Sequence, residues 1–382
     1  MLLCAAQFLG YAHYYLFTPT FPLYVTHLGG SPFVVGLVLA SFSISSVIFR
    51  PIIGYWADRW NPAGVMIFGL LMLGGGVLLC FIPIVETSML ANILRGVGWS
   101  GLNAGGYSIL ASVAPPARRG EASGYYSGAQ GSANIVSPAL ALYLLNAPFG
   151  GFQTVFLTSM LVASLSAALG VLLGRSAPFE PSPIQTAASR SFWSEFFNMF
   201  EREVRIPAAL LFCLQFSLPA ASSFVVLYAR HIGVGSITIY FIISGTTSLL
   251  ARPLLGRFAD RIGWGRAIVM GFLLEIAGLI LLVMISSLTG MIAAGTLYML
   301  GSAIGSAAIL ALALERANPQ RRGRALASYS LAFPLGTGLG AFITGLALEI
   351  GGYFWTYLFH AAFCACGALL VFAKWNNLKQ RS

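Results

Sequence analysis

The chain has 382 residues, 58% of them hydrophobic and only 8% charged. Soluble domains carry roughly 25% charged residues, so this composition excludes a water-exposed globular surface and places the chain in a lipid bilayer. The net charge of +10 does not point to nucleic acid, because the 21 Lys and Arg residues recur in short gaps between apolar runs.

A membrane-crossing helix needs about 20 mainly apolar residues. The first such run, 2–27, has no basic residue ahead of it, so no cleavable leader is predicted and the start reads as short or truncated. It holds His13 beside Tyr14 and Tyr15, and a histidine there is either a proton-exchanging group or a hydrogen-bonded packing residue. The second run, 32–56, leads into "RPIIGYWADR" at 50–59, and a third covers 64–83.

The fourth run, 88–113, contains "NILRGVGW" (92–99) and so places Arg95 inside the bilayer. Arginine cannot shed its charge, so at that depth it requires a partner or water. None of the first six runs offers an acid at similar depth. Either backbone carbonyls and water serve Arg95, or an anionic substrate group does. Trp99 and Asn103, in the same run, are further aromatic and polar candidates. In the fifth run, 120–146, Tyr126, Gln130 and Asn134 stand at i, i+4 and i+8, a polar stripe that faces protein or water. Gly120, Gly124 and Gly128 on the same run permit close helix packing. A sixth run covers 150–174.

A second set of runs falls at 205–231, 234–257, 266–286, 290–316, 323–349 and 352–374. Gln215 is a polar candidate in the first of these. Glu275, in the third, is the carboxylate set deep in an apolar run (272–285), which makes it either a proton-coupling group or a hydrogen-bonded structural acid. Between the sets, the Pro- and Ser-rich start of 175–204 suits a linker. Trp193, Phe196, Phe197 and Phe200 then recur at helical spacing opposite Glu195, Asn198 and Arg202, which predicts a short tethering helix on the inner membrane surface.

The two sets repeat one another. "RPIIGYWADR" and "RPLLGRFADR" (252–261) agree at six of ten positions, and "PARRGEA" (116–122) pairs with "PQRRGRA" (319–325) at nearly the same offset, 202 or 203. Six spans per half make this a parallel repeat, with halves at 1–174 and 205–382. If both termini are cytoplasmic, every Lys and Arg except Arg95 and Arg230 lies on the cytoplasmic side, as topology requires.

Catalytic and metal chemistry is not predicted. The five cysteines all lie in apolar stretches and read as inert buried thiols, and His13, His27, His231 and His360 are scattered without metal spacing. There is no Walker-type phosphate loop and no nucleophile–base constellation, so neither an enzyme nor a bound cofactor is expected.

Twelve spans in two parallel halves, with Gly54-x-x-x-Asp58-Arg59 and Gly256-x-x-x-Asp260-Arg261 after the second span of each, resemble the major facilitator superfamily. The nearest likeness is to its bacterial drug and metabolite exporters of the drug:proton antiporter type, partly through "FPLYVTHLGGSPFVVG" (21–36). The resemblance implies an all-α membrane fold in which the loop Asp and Arg residues latch the cytoplasmic side shut in one state. The plainer alternative is that the Arg residues only fix topology. It further implies a central cavity lined by the first, fourth, seventh and tenth spans, with the ninth, home of Glu275, at the periphery. Substrate-binding candidates are therefore His13, Asn92, Arg95, Trp99, Asn103, Tyr126, Gln130, Asn134 and Gln215.

Two departures from the exporter pattern stand out. Taking Gly96 and Gly98 as the family's fourth-span glycine pair puts Asn92 in the position usually held by Arg, with Arg95 one turn deeper. The fifth-span Gly-Pro pair reads Ser137-Pro138. The resulting expectation is a monomeric secondary transporter of the bacterial inner membrane, exporting a small organic molecule with proton exchange and needing no metal, cofactor or nucleic acid. An importer or uniporter on the same fold is the first rival. A non-transporting membrane sensor or lipid-handling protein is the second.

Overall fold

The structure, a computed structural model, describes residues 1–59, 61–114, 118–176, 202–317 and 322–374. The expected linker helix lies outside the described residues, as do the side chains of Asp58, Arg59 and Asp260 and the surroundings of Gly256. All regular structure among the described residues is helical. The first half gives α1 (Leu2–His27), α2 (Pro32–Arg59), α3 (Pro62–Leu78), α4 (Val85–Val113), α5 (Arg119–Asn146) and α6 (Phe152–Ser176). The second gives α7 (Arg205–Phe216), α8 (Leu218–Ser222), α9 (Val225–His231), α10 (Thr238–Ile262), α11 (Trp264–Met284), α12 (Leu288–Arg316) and α13 (Arg322–Ala373). Seven of the described helical segments are long and apolar enough to cross a membrane by length and composition.

Local chemistry fixes the ends. Asn61 accepts the Ala63 N–H at 2.9 Å and Pro62 opens α3, so one orphan donor is capped and another is absent. Ser287 caps α12 through the Gly290 N–H at 3.2 Å. Inside α1, Pro19 and Pro22 each remove a backbone donor, and Thr20 and Thr26 return their hydroxyls to the carbonyls of Leu16 and Pro22 at 2.7 and 2.9 Å. The long element α13 is two helices joined at Gly352, whose φ of 71° lies in the left-handed region that glycine tolerates. The sequence expectation of separate runs at 323–349 and 352–374 meets at that bend.

The seventh apolar run is not one helix. It is α7, α8 and α9, interrupted at Ser217 and again at Ser223 and Phe224. Pro219 supplies no N–H, while its carbonyl accepts from both Ser223 and Phe224 at 2.9 Å. Irregular backbone at membrane depth persists only where other groups satisfy it. Here they do: the Tyr240 hydroxyl of α10 donates to the Ala221 carbonyl at 2.7 Å, and the Tyr357 hydroxyl of α13 to that of Ala220 at 3.3 Å.

By contact the chain divides into two compact units. One comprises Met1–Gly29 with the chain from Ser41 through α6; the other comprises Gly30–Ala40 with the chain from Arg202 onward. In the first unit α3 packs on α4 and α6, and α1 on α5 and α6. Leu3, Met66, Leu70, Leu102, Ile109 and Tyr126 belong to its core. In the second, α11 and α10 pack on α12, and α13 packs on α7 and α11. Within that unit Glu349 accepts the Phe33 N–H at 3.0 Å near the start of α2, where a carboxylate suits the helix dipole. Large apolar side chains such as Leu71, Leu157 and Leu161 point outward and are more than half exposed, which suits a lipid surround.

Each unit contains the same tight crossing. A Cβ on Gly69 would run into the backbone of Gly98 and Leu102, and one on Gly271 into that of Gly301 and Gly305. Gly76 abuts Arg95, and Gly278 abuts Tyr298. These partners are separated by the 202 or 203 residues of the sequence repeat, so the duplication extends from wording to packing. Small residues let two backbones approach in lipid, where packing rather than water expulsion holds helices together. The expected use of glycine does not extend everywhere: a Cβ on Gly54, Gly124 or Gly128 would meet no atom within 4 Å.

Candidate functional site

The structure sorts the sequence candidates into groups with different surroundings. Arg95, on α4, is 2% exposed. Its Nη1 donates to Asn92 Oδ1 at 2.7 Å, one helical turn back. The guanidinium carbon lies 3.6 Å from the centroid of Phe17, with Phe21 and Phe42 at 5.5 and 5.8 Å. A desolvated guanidinium over an aromatic face gains about 2 kcal/mol, and Gly76, Cys80 and Tyr14 also adjoin this side chain or lie within its electrostatic reach. Its Nε has no hydrogen-bond partner among the described residues. Asn92, in the slot where the family pattern has Arg, thus serves as the amide that orients Arg95.

His13 adjoins this group, its ring 5.6 Å from that of Phe17 and within electrostatic reach of Arg95, but its hydrogen bonds go to α6. Its Nδ1 lies 2.8 Å from Ser159 Oγ and 3.1 Å from the Ser159 carbonyl, so it ties α1 to α6, while its Nε2 has no partner among the described residues. Ser166 reinforces the same seam by donating to the Ala6 carbonyl at 2.7 Å. Gln130 and Tyr126 belong to a second buried group. Gln130 Nε2 donates to Gln7 Oε1 at 3.3 Å, and Gln7 Nε2 donates to the Leu102 carbonyl at 3.2 Å. The Tyr126 hydroxyl stands beside Gly106, with the Gln130 side chain as its polar neighbour. Asn134 is half-buried further along α5. Gln215 is buried in the other unit, against Gly336 of α13.

The third group is partly open. Trp99 lies 4.5 Å, centroid to centroid, from both Tyr11 and Tyr14, and Phe42 closes the cluster at 5.2 Å from Tyr14. Asn103 accepts the Tyr11 hydroxyl at 2.7 Å and donates to the Trp99 carbonyl at 2.8 Å. Trp99, Tyr14, Tyr15 and Asn103 are half-buried, so this aromatic wall has surface to offer a ligand. Arg50, from the repeated phrase, is within electrostatic reach of Tyr11 and Tyr107. Pockets for small molecules are mostly apolar with a few fixed polar groups, and this wall has that character.

Sequence reasoning missed Gln7, Tyr11 and Tyr14 as site residues. Their spacing of four and three residues on α1 was the available signal, because it lays them along one helical face. It also missed the environment of Glu275. That residue, on α11, is fully buried, and its Oε2 accepts from Ser217 Oγ at 3.4 Å and Cys364 Sγ at 3.5 Å. Ser217 is in turn 2.8 Å from the Tyr298 hydroxyl. Among the described residues no cluster of His, Cys, Asp and Glu could hold a metal ion.

This packing of long apolar helices around buried polar knots defines a multi-pass membrane protein. The sequence profile of the Major Facilitator Superfamily matches residues 3–290 and 231–380, and the chain belongs to that family of transporters. It is 28% identical over 283 residues to the multi-drug resistance efflux pump PmrA of Streptococcus pneumoniae, covering 69% of this chain and 67% of the relative. It is 25% identical over 264 residues to multidrug resistance protein 2 of Bacillus subtilis, covering 66% and 64%. An uncharacterized MFS-type transporter of Methanocaldococcus jannaschii is 22% identical over 358 residues, 90% of each chain. Among solved structures, a POT family transporter in complex with a thioalcohol-conjugated peptide superimposes with a TM-score of 0.82 at 13% identity, covering 99% of this chain and 96% of the other. A bacterial homologue of the human lysosomal transporter Spinster, inward-facing and unoccupied, gives 0.76 at 15%, covering 99% and 96%. At these identities the structural likeness establishes the fold alone.

Proposed function

We propose that this transporter exports small aromatic molecules from the cytoplasm by alternating access, in exchange for protons. In this reading it is a monomer of twelve spans, two parallel repeats of six with both termini on the cytoplasmic side of a bacterial inner membrane. The recurrence of the Gly69–Gly98 crossing as Gly271–Gly301 supports the duplicated plan. The observation that carries export is the likeness to relatives named as multidrug efflux pumps. The half-buried wall of Tyr14 and Trp99, with Asn103 beside it, is a suitable surface for stacking a planar solute. Arg95 and His13 then act behind that wall, the first holding the rings of α1 and α2 against α4, the second joining α1 to α6.

Purified protein in proteoliposomes, with ethidium as the aromatic probe, tests this. An acid interior is expected to drive ethidium uptake above its equilibrium level, and a proton conductor is expected to abolish the accumulation. Counterflow that proceeds at full rate while ignoring the pH gradient would instead support the uniporter reading. That rival draws on Asn92 in place of the family Arg and on Ser137 ahead of Pro138.

A further inference from the structure

Glu275 is the buried acid for which the aromatic wall has no use. It sits midway along α11 with zero exposure, at a point where α7, α12 and α13 all meet it. Its partners are neutral: Ser217 at the end of α7, Cys364 of α13, and Ser302 of α12 beside the carboxyl. Tyr298 of α12 reaches it through Ser217. Its second oxygen, Oε1, is buried with no hydrogen-bond partner among the described residues. A carboxylate held at this depth without a countercharge is several kcal/mol less stable than one in water, whereas a carboxylic acid is compatible with every contact present.

Ser217 is also where the seventh span first passes from regular α-helix into a turn, its own φ and ψ of -84° and -14° remaining in the helical region. One hydroxyl therefore joins the acid to the break. Beyond it, Tyr357 and Tyr240 pin the carbonyls of Ala220 and Ala221 of α8, and of the two turns that flank α8 the one at Ser217 is the one that touches the acid.

We propose that Glu275 is a proton-binding site, and that gain and loss of its proton work the break in the seventh span through Ser217. The step is a proton transfer: the carboxylic acid gives H⁺ to water admitted at the break and becomes a carboxylate, and the reverse transfer restores it. As a neutral acid it makes only the long contacts seen here. As a carboxylate it becomes a charged acceptor, and charge-assisted O–H···O⁻ bonds contract to about 2.6 Å. The Ser217 hydroxyl is drawn toward it, its bond to Tyr298 is re-formed with Ser217 as acceptor, and the end of α7 shifts. This deepens the proton-exchange reading and rests on it for a role in transport, but the site itself can be examined without any substrate.

The test uses purified full-length protein in nanodiscs. Infrared difference spectra between acidic and alkaline buffer are expected to show a carboxylic-acid carbonyl band that Glu275→Gln removes. Hydrogen exchange of the segment 213–224 is expected to rise with pH about tenfold beyond the intrinsic chemical rate. Glu275→Gln is expected to hold that segment at its slow rate, and Ser217→Ala to keep the infrared band while uncoupling the segment from pH. Should the Gln variant fail to fold, Glu275→Asp is expected to move the band's frequency and leave it titrating. A band that survives unchanged in Glu275→Gln, or a segment that follows only intrinsic chemistry in the wild type, overturns the proposal. So does a response to replacing sodium by choline at constant pH, which would mark a metal-cation site instead. An intact band together with ethidium transport that ignores acid gradients would retain the site and remove the coupling.

Discussion

At the scale of single residues, burial separates the groups enclosed within the protein from those with surface to offer a ligand. Arg95 and Trp99 stand one turn apart on α4, yet the first is 2% exposed and the second half-buried. Arg95→Ala removes a buried group stacked on Phe17 together with its hydrogen bond to Asn92 Oδ1. Such a change costs about 2–4 kcal/mol of stability, so thermal unfolding in detergent is expected to fall markedly. Trp99→Ala is expected to act mainly on binding, weakening ethidium by about tenfold, or roughly 1.4 kcal/mol, in equilibrium dialysis. Trp99→Phe retains an aromatic face and is expected to recover most of that loss. If Arg95→Ala melted like the wild type and lost only binding, Arg95 would belong to the solute site and the division drawn here would fail.

Between elements, the tight crossings decide which substitutions the helix pairs tolerate. Gly98 faces the backbone of Gly69 so closely that a single methyl group collides, while Gly75, on the same helix as Gly69, would place its Cβ within 4 Å of nothing. Gly98→Val is therefore expected to abolish a monodisperse peak in size-exclusion chromatography, and Gly75→Val to leave it unchanged. Gly301→Val should repeat the Gly98 result, since Gly301 meets the Gly271 carbonyl in the same way. The positions of these helices were readable in the sequence, because a run of about 20 apolar residues has few other uses. The breaks within the seventh span had a signal that went unread: Pro219 stands in the middle of the 205–231 run, beside Ser217, Ser222 and Ser223, where a proline removes a helical hydrogen bond. The Arg95–Asn92 contact, at i and i−3, was implicit in helical spacing. The His13–Ser159 and Glu275–Cys364 pairs, 146 and 89 residues apart, depend on how helices are arranged and left no trace in local pattern.

For the whole molecule, the duplication says more than any one site. Two copies of Gly-x-x-x-Asp-Arg, which the structure puts at the ends of α2 and α10 rather than in loops, are what a device acting symmetrically on both halves would need, whereas topology alone requires only the arginines. The two ideas separate at the aspartates. Asn keeps the size and hydrogen-bonding capacity of Asp but not its charge, so Asp58→Asn with Asp260→Asn removes any ionic latch and leaves the positive-inside signal intact. A latch changes the relative populations and interconversion of states rather than the contacts that a solute makes. If each of the two aspartates holds one exposed ion pair, the two would contribute about 1–2 kcal/mol together, and each 1.4 kcal/mol is a tenfold change in an equilibrium between states. The double variant is thus expected to slow ethidium flux in proteoliposomes about tenfold, with binding to the purified protein unaltered in tryptophan quenching. The flux deficit should also shrink as ionic strength is raised, because salt already screens the wild-type pairs. Unchanged flux in the double variant would reduce the repeated phrase to a topological signal.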